Sequence, residues 1–175
     1  MAEKKKFNVV SIVILAVLGV ALIMGIVGLC IDWWSMSAEG ETEAAKLKEL
    51  IDANKELKDA GLSPWYAGAE AAQAFGIISV IAAVATAGSY VASKFVNVKA
   101  LKWVTIGCAV LLIVSALVAL ICTFCFGTSD ALKKMKEEAD RFGSKLSYMP
   151  AVGCWLLSIF GIVGGAAGVY GAIKG

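Results

Sequence analysis

Apolar residues in this chain do not alternate with polar ones; they gather into four long blocks. There are 25 uncharged residues between Lys6 and Asp32, 23 between Glu70 and Lys94, 27 between Lys102 and Asp130, and 28 between Lys145 and Lys174. Each block exceeds the roughly 20 residues that cross a hydrocarbon core of about 30 Å at 1.5 Å per helical residue. The pattern predicts four membrane-spanning helices over about 7–33, 67–92, 103–126 and 149–173. A transmembrane β-barrel would instead show short segments alternating apolar and polar. The expected fold is therefore all-α, a four-transmembrane-helix bundle forming a single tetraspan membrane domain over residues 1–175.

Between the blocks the period changes. Over Thr42 to Ala60, the residues Ala44, Leu47, Leu50, Ile51 and Leu57 share one face at a 3.6-residue repeat, with Lys and acids opposite. Gly61 is placed to stop that helix, Leu62 to fold back on Leu57, and Pro64 to prevent its resumption. A second amphipathic helix is predicted over 129–142, with Ser129 as N-cap, Leu132, Met135, Ala139 and Phe142 as the stripe, and Gly143 as the stop. Neither is long enough to be stable alone. The two stripes are expected to cover each other as a small helical cap, or else to meet a partner protein or the membrane interface.

The stretch GLCIDWW closes the first block. Asp32 marks the polar zone, and Trp33 and Trp34 stand where an interfacial aromatic belt is expected. Lys4, Lys5 and Lys6 resemble the start of a signal peptide, and Ser35, Met36 and Ser37 precede Ala38 as a cleavage site would require. The apolar run is too long for a typical signal core, so a retained span is expected.

Composition agrees with a lipid environment: 59% of the residues are hydrophobic and 17% charged. Four spans put both termini on one side. Lys4, Lys5, Lys6, Lys94, Lys99, Lys102 and Lys174 lie in very short segments on that side, so both termini are expected in the cytoplasm, in a plasma membrane. The terminal side totals +6 and the loop side −4. A net charge of +2 points to no nucleic-acid partner, and the lysine clusters are expected to anchor the spans against anionic headgroups of membrane lipid. No glycosylation sequon occurs at Asn8, Asn54 or Asn97, and no lipidation motif is present.

Candidate chemistry is sparse. With no histidine, His-based triads, His metal sites and imidazole proton shuttles are excluded, and no phosphate or dinucleotide loop occurs. No enzyme activity, cofactor or metal is expected. Cys122-Thr123-Phe124-Cys125 spells CxxC but lies within the third span. Cys30, Cys125 and Cys154 are at similar depth near the loop side; two could form a disulfide if their helices touch, or all could be thiols acting as small apolar groups. Glu70 and Gln73, one turn apart at the loop end of the second span, read either as structural or as the polar entrance of a small channel or transporter. In the fourth span Gly161, Gly164, Gly165, Gly168 and Ala172, with Gly171, give overlapping small-residue spacings; Gly68, Ala72 and Gly76 give a lesser set. Such seams serve packing within one chain or between copies.

Four spans, a longer first loop than second, Trp33 and Trp34 near the first exit, and Gly153-Cys154-Trp155 followed by Gly164-Gly165 resemble the tetraspan superfamily of claudins and peripheral myelin protein. The motif residues cover about a tenth of the chain. Claudins carry a Trp, Gly-Leu-Trp and two-cysteine signature in a strand-rich first outer loop, whereas residues 35 to 66 here hold no cysteine and read as helix. The resemblance implies a non-catalytic protein acting by association. It would be an adhesion or junction-like tetraspan or an accessory subunit, meeting other membrane proteins or further copies of itself through the fourth span or the loop helices.

Overall fold

In a computed structural model of the chain, residues 9–38, 41–61, 68–96, 98–127 and 130–174 are described. In chain order the elements are α1 (Val9–Cys30), β1 (Asp32–Ala38), β2 (Glu41–Lys46), α2 (Leu47–Asp59), α3 (Ala69–Phe95), α4 (Lys99–Gly127), α5 (Asp130–Arg141), β3 (Leu146–Pro150) and α6 (Val152–Lys174). The fold is a helical bundle in which α1, α3, α4 and α6 are long and apolar enough to cross a membrane. Only 28 to 44% of the most apolar stretch of each is buried within the monomer. Ile12, Ile23, Ile81, Leu111, Ile121 and Ile159 are among the side chains left facing outward, and only lipid would solvate them favourably. The chain is a multi-pass integral membrane protein.

Small residues set how the four helices meet. α1 lies against α6, α3 against α4, and α4 against α6. A Cβ placed on Gly161 would come 2.7 Å from the Ala116 methyl, on Gly164 2.6 Å from the Ala21 methyl, and on Gly165 2.7 Å from the Ala109 carbonyl. On Gly168 it would meet Thr86 at 2.5 Å and on Gly171 the Tyr90 ring at 2.7 Å. The glycine face of α6 is thus filled by α1, α3 and α4 of the same chain, together with Ala172, which is itself buried. Four hydroxyl side chains in the bundle are satisfied within their own helices. Thr86 donates to the Ala82 carbonyl, Thr105 to Leu101, Ser115 to Leu111 and Thr123 to Ala119, each one turn back in its own helix.

The loop end departs from the sequence reading. The first span stops at Cys30 rather than Trp33, and the fourth starts at Val152 rather than Met149. The residues released at both places become strands. Residues 42–46, expected as the first turns of a helix, form β2 instead, and the helix begins at Leu47. An antiparallel sheet in the order β2-β1-β3 results. β1 pairs with β2 from Ala38↔Glu41 to Asp32↔Lys46, and with β3 from Ala38↔Leu146 to Trp34↔Pro150. The switch from strand to helix after β2 is marked by the Glu49 carboxylate, which accepts the Lys46 N–H at 3.0 Å. Both glycine stops occur as expected: Gly61 has φ +72° and Gly143 φ +79°. The proposed Leu62 fold-back, Pro64 and the Ser129 cap lie outside the described residues.

Candidate functional site

The loop-end cap is built around two indoles. Trp33 is fully buried and Trp34 is 3% exposed, so neither serves as a lipid-facing belt, which corrects the sequence expectation. The reason is a register shift between Asp32 and Trp34 where β1 meets β2. In a regular strand, consecutive side chains point to opposite faces; an irregularity of this kind lets two neighbours turn the same way. Trp33 Nε1 donates to the Gly28 carbonyl at 2.6 Å, across the junction of α1 and β1. The Ala151 N–H donates to the Trp33 carbonyl at 2.8 Å, tying the start of α6 to the same point. A Cβ on Gly153 would come 2.6 Å from the Gly28 carbonyl and 2.8 Å from that of Asp32, so the two backbones cross in contact there.

Around the indoles close Leu47 and Ile51 of α2, Ala69 and Ala72 of α3, Ala119 of α4, Leu132 of α5, and Cys154 and Leu157 of α6, with Leu50, Met135 and Tyr148 packed at the margin. Leu47, Leu50 and Ile51 of the first stripe and Leu132 and Met135 of the second therefore pack on a shared tryptophan centre rather than simply on each other. Tyr148 meets Trp34 with ring centroids 6.2 Å apart. Two stripe residues differ from expectation. Ala44 belongs to β2, and Phe142, just past the end of α5, is 86% exposed. The aromatic residues that do face outward at helix ends are Phe124 and Trp155 near the cap, in edge-on contact at 5.9 Å, and Trp103, Phe95 and Tyr170 at the terminal end.

The other sequence candidates are placed as follows. Cys30 and Cys125 are exposed and Cys154 is buried, and no disulfide joins any of the five cysteines in the structure, so the one considered among Cys30, Cys125 and Cys154 is not formed. Glu70 lies in the first turn of α3 and pairs with Lys58 of α2 at 3.5 Å, both side chains more than half exposed. Gln73 is half-buried one turn on. This pair ties α2 to α3 on the surface.

The sheet itself went unforeseen, and it supplies the surface with the most distinctive composition. β1 is central, so β2 and β3 each keep one edge without a strand partner among the described residues. β2 carries Glu41, Glu43 and Lys46, charges of the kind that deter edge pairing. β3, Leu-Ser-Tyr-Met-Pro, has no charge, and its Met149 is 67% exposed. Phe142 stands four residues before it, and Arg141 and Lys145 are exposed beside it. The one sequence signal for β3 is its alternation, with Leu146 and Tyr148 half-buried and Ser147 and Met149 exposed. The arrangement offers backbone donors and acceptors with apolar side chains among basic neighbours. It has no catalytic constellation, and no cluster of metal-ligating residues occurs among the described residues. Compared with known proteins, the chain matches no family profile, no curated protein and no solved structure.

Proposed function

We propose that the protein works by association in the membrane, as a junction-like tetraspan or as an accessory subunit of a larger membrane complex, with the β3 edge as its contact surface. The observation that carries this reading is an uncharged edge strand with Met149 and Phe142 exposed, next to a cap centre in which Trp33, Trp34, Leu47, Ile51 and Leu132 are buried. β-Strand addition to such an edge takes affinity from main-chain hydrogen bonds and specificity from alternate side chains. Glu41 and Glu43 deter the pairing of two β2 edges but complement Arg141 and Lys145 beside β3, which favours a second copy as partner. A claudin-like layout would also place strands in the first loop, as β1 and β2 do here. The lysine-rich terminal end belongs in the cytoplasm, and the loop-end cap outside a plasma membrane.

The channel or transporter reading is less well supported. Glu70 points to a surface ion pair, and the bundle interior is closed by contacts such as Gly161 on Ala116 and Gly164 on Ala21.

Cross-linking in native membranes, followed by blue-native gels in mild detergent, tests the proposal. Wild type is expected to run as a higher-order species, and the surface variants Phe142→Glu and Met149→Glu as monomers with unchanged melting. A wild type that is monomeric after cross-linking would sink it. So would flux through reconstituted vesicles that Glu70→Ala abolishes.

A further inference from the structure

At the opposite end of the bundle a cavity of about 510 Å³ opens between the end of α3, the start of α4 and the end of α6, lined by Ser93, Lys99, Lys102, Trp103, Ile106 and Ile173 among others. Its lining is of two kinds: two lysines and a serine, and aliphatic or indole surface. We propose that this cavity binds the headgroup of one anionic phospholipid, its phosphate between Lys99 and Lys102 and its acyl chains leaving along α4 past Trp103.

Three observations converge on that occupant. First, Lys99 and Lys102 lie in the first turn of α4, where no acidic residue is present. Cations at a helix N-terminus oppose the helix dipole, and an anion held between them would offset both that repulsion and their own. Second, neither lysine has an ion-pair partner among the described residues, whereas nearby Lys94 is occupied, its ammonium 4.8 Å from the centre of the Tyr90 ring. Between Gln73 and Asp130 the chain contains three lysines and no acid, so the connection from α3 to α4 carries positive charge only. Third, Trp103 is 74% exposed and follows Lys102 at the start of α4, where an indole flanking a headgroup would stand. A soluble phosphate would use the lysines but not the apolar wall; a phospholipid uses both. Basic pockets between spanning helices are a recurrent way of holding anionic headgroups.

Native mass spectrometry of the full chain, released from discs of equimolar phosphatidylglycerol and phosphatidylcholine, tests the site. One phosphatidylglycerol is expected to remain bound per protomer, and the Lys99→Gln, Lys102→Gln double variant to weaken retention about 30-fold, roughly fivefold for each lysine. Lys99→Arg with Lys102→Arg should retain it, and Lys134→Gln with Lys136→Gln, at the other end, should behave as wild type. Added glycerol phosphate should neither compete nor raise the melting temperature; if it does both, the ligand is a free phosphate and the proposal fails. A photoactivatable phosphatidylglycerol on wild-type protein, needing no variant, should label peptides spanning 93–106 and 171–173. Equal retention of both lipids, or labelling only elsewhere, would overturn the assignment.

Discussion

Trp33 is the side chain on which the cap depends most. It is fully buried, its ring nitrogen is bonded to the Gly28 carbonyl, and its own carbonyl receives Ala151. Trp33→Ala should destabilise the protein by about 3–5 kcal/mol, through lost contacts plus a cavity that the crossing of α1 and α6 prevents from collapsing. Trp33→Phe keeps most of the volume but leaves the Gly28 carbonyl unpaired, an intermediate loss of roughly 1–3 kcal/mol. Thermal unfolding in detergent separates the three proteins. The glycines make a matched contrast. Gly153→Ala and Gly165→Ala place a methyl on backbone carbonyls that cannot move without parting two helices, and each should cost about 1–3 kcal/mol. Gly88→Ala and Gly107→Ala face open space and should leave the melting temperature unchanged or slightly higher. Five thiols should be counted by alkylation under denaturing, non-reducing conditions, with Cys154 protected until the fold is lost.

Among the elements, the spanning helices were legible because a run of uncharged residues long enough for a bilayer has few alternative meanings. Their ends were less so. α4 begins at Lys99, before the Trp103 expected from hydropathy, because a lysine can stay helical while its ammonium reaches the headgroups. The strands were not legible, for a physical reason that β2 illustrates. Glu-Thr-Glu-Ala-Ala-Lys has little intrinsic preference for a strand, and Ala44 with Leu47 fits a helical face equally well. Pairing with β1 decides it, and that partner is outside any local window. The tryptophan pair marks a boundary in the sequence but not its burial, since two adjacent side chains facing one way need a register shift that no periodicity announces. At the loop end, Gly143→Ala should cost about 1 kcal/mol or more by forcing a side chain into the left-handed region at φ +79°. Glu70→Gln should change stability by less than about 0.5 kcal/mol, because the Lys58 pair is mostly solvated.

For the whole molecule, the outward aliphatic surface of all four long helices requires an amphiphilic environment. The protein is expected to be monodisperse in detergent or lipid discs, and to precipitate when these are withdrawn. The start of α1 and the end of α6 lie at the same end of the bundle, so reporter tags on the two termini should be quenched from the same face of a sealed vesicle. Opposite faces would contradict the arrangement. The middle strand adds a consequence for biosynthesis. β1 follows the first span, yet one of its two neighbours, β3, precedes the last, and Ser35 reaches the Met149 carbonyl across 114 positions of sequence. While the ribosome is still making the intervening helices, one side of β1 has nothing to pair with. Only when the final hairpin of spans has been delivered to the bilayer can that row of amides be closed. Chains halted after α4 should therefore leave one edge of β1 unpaired until the last span is made.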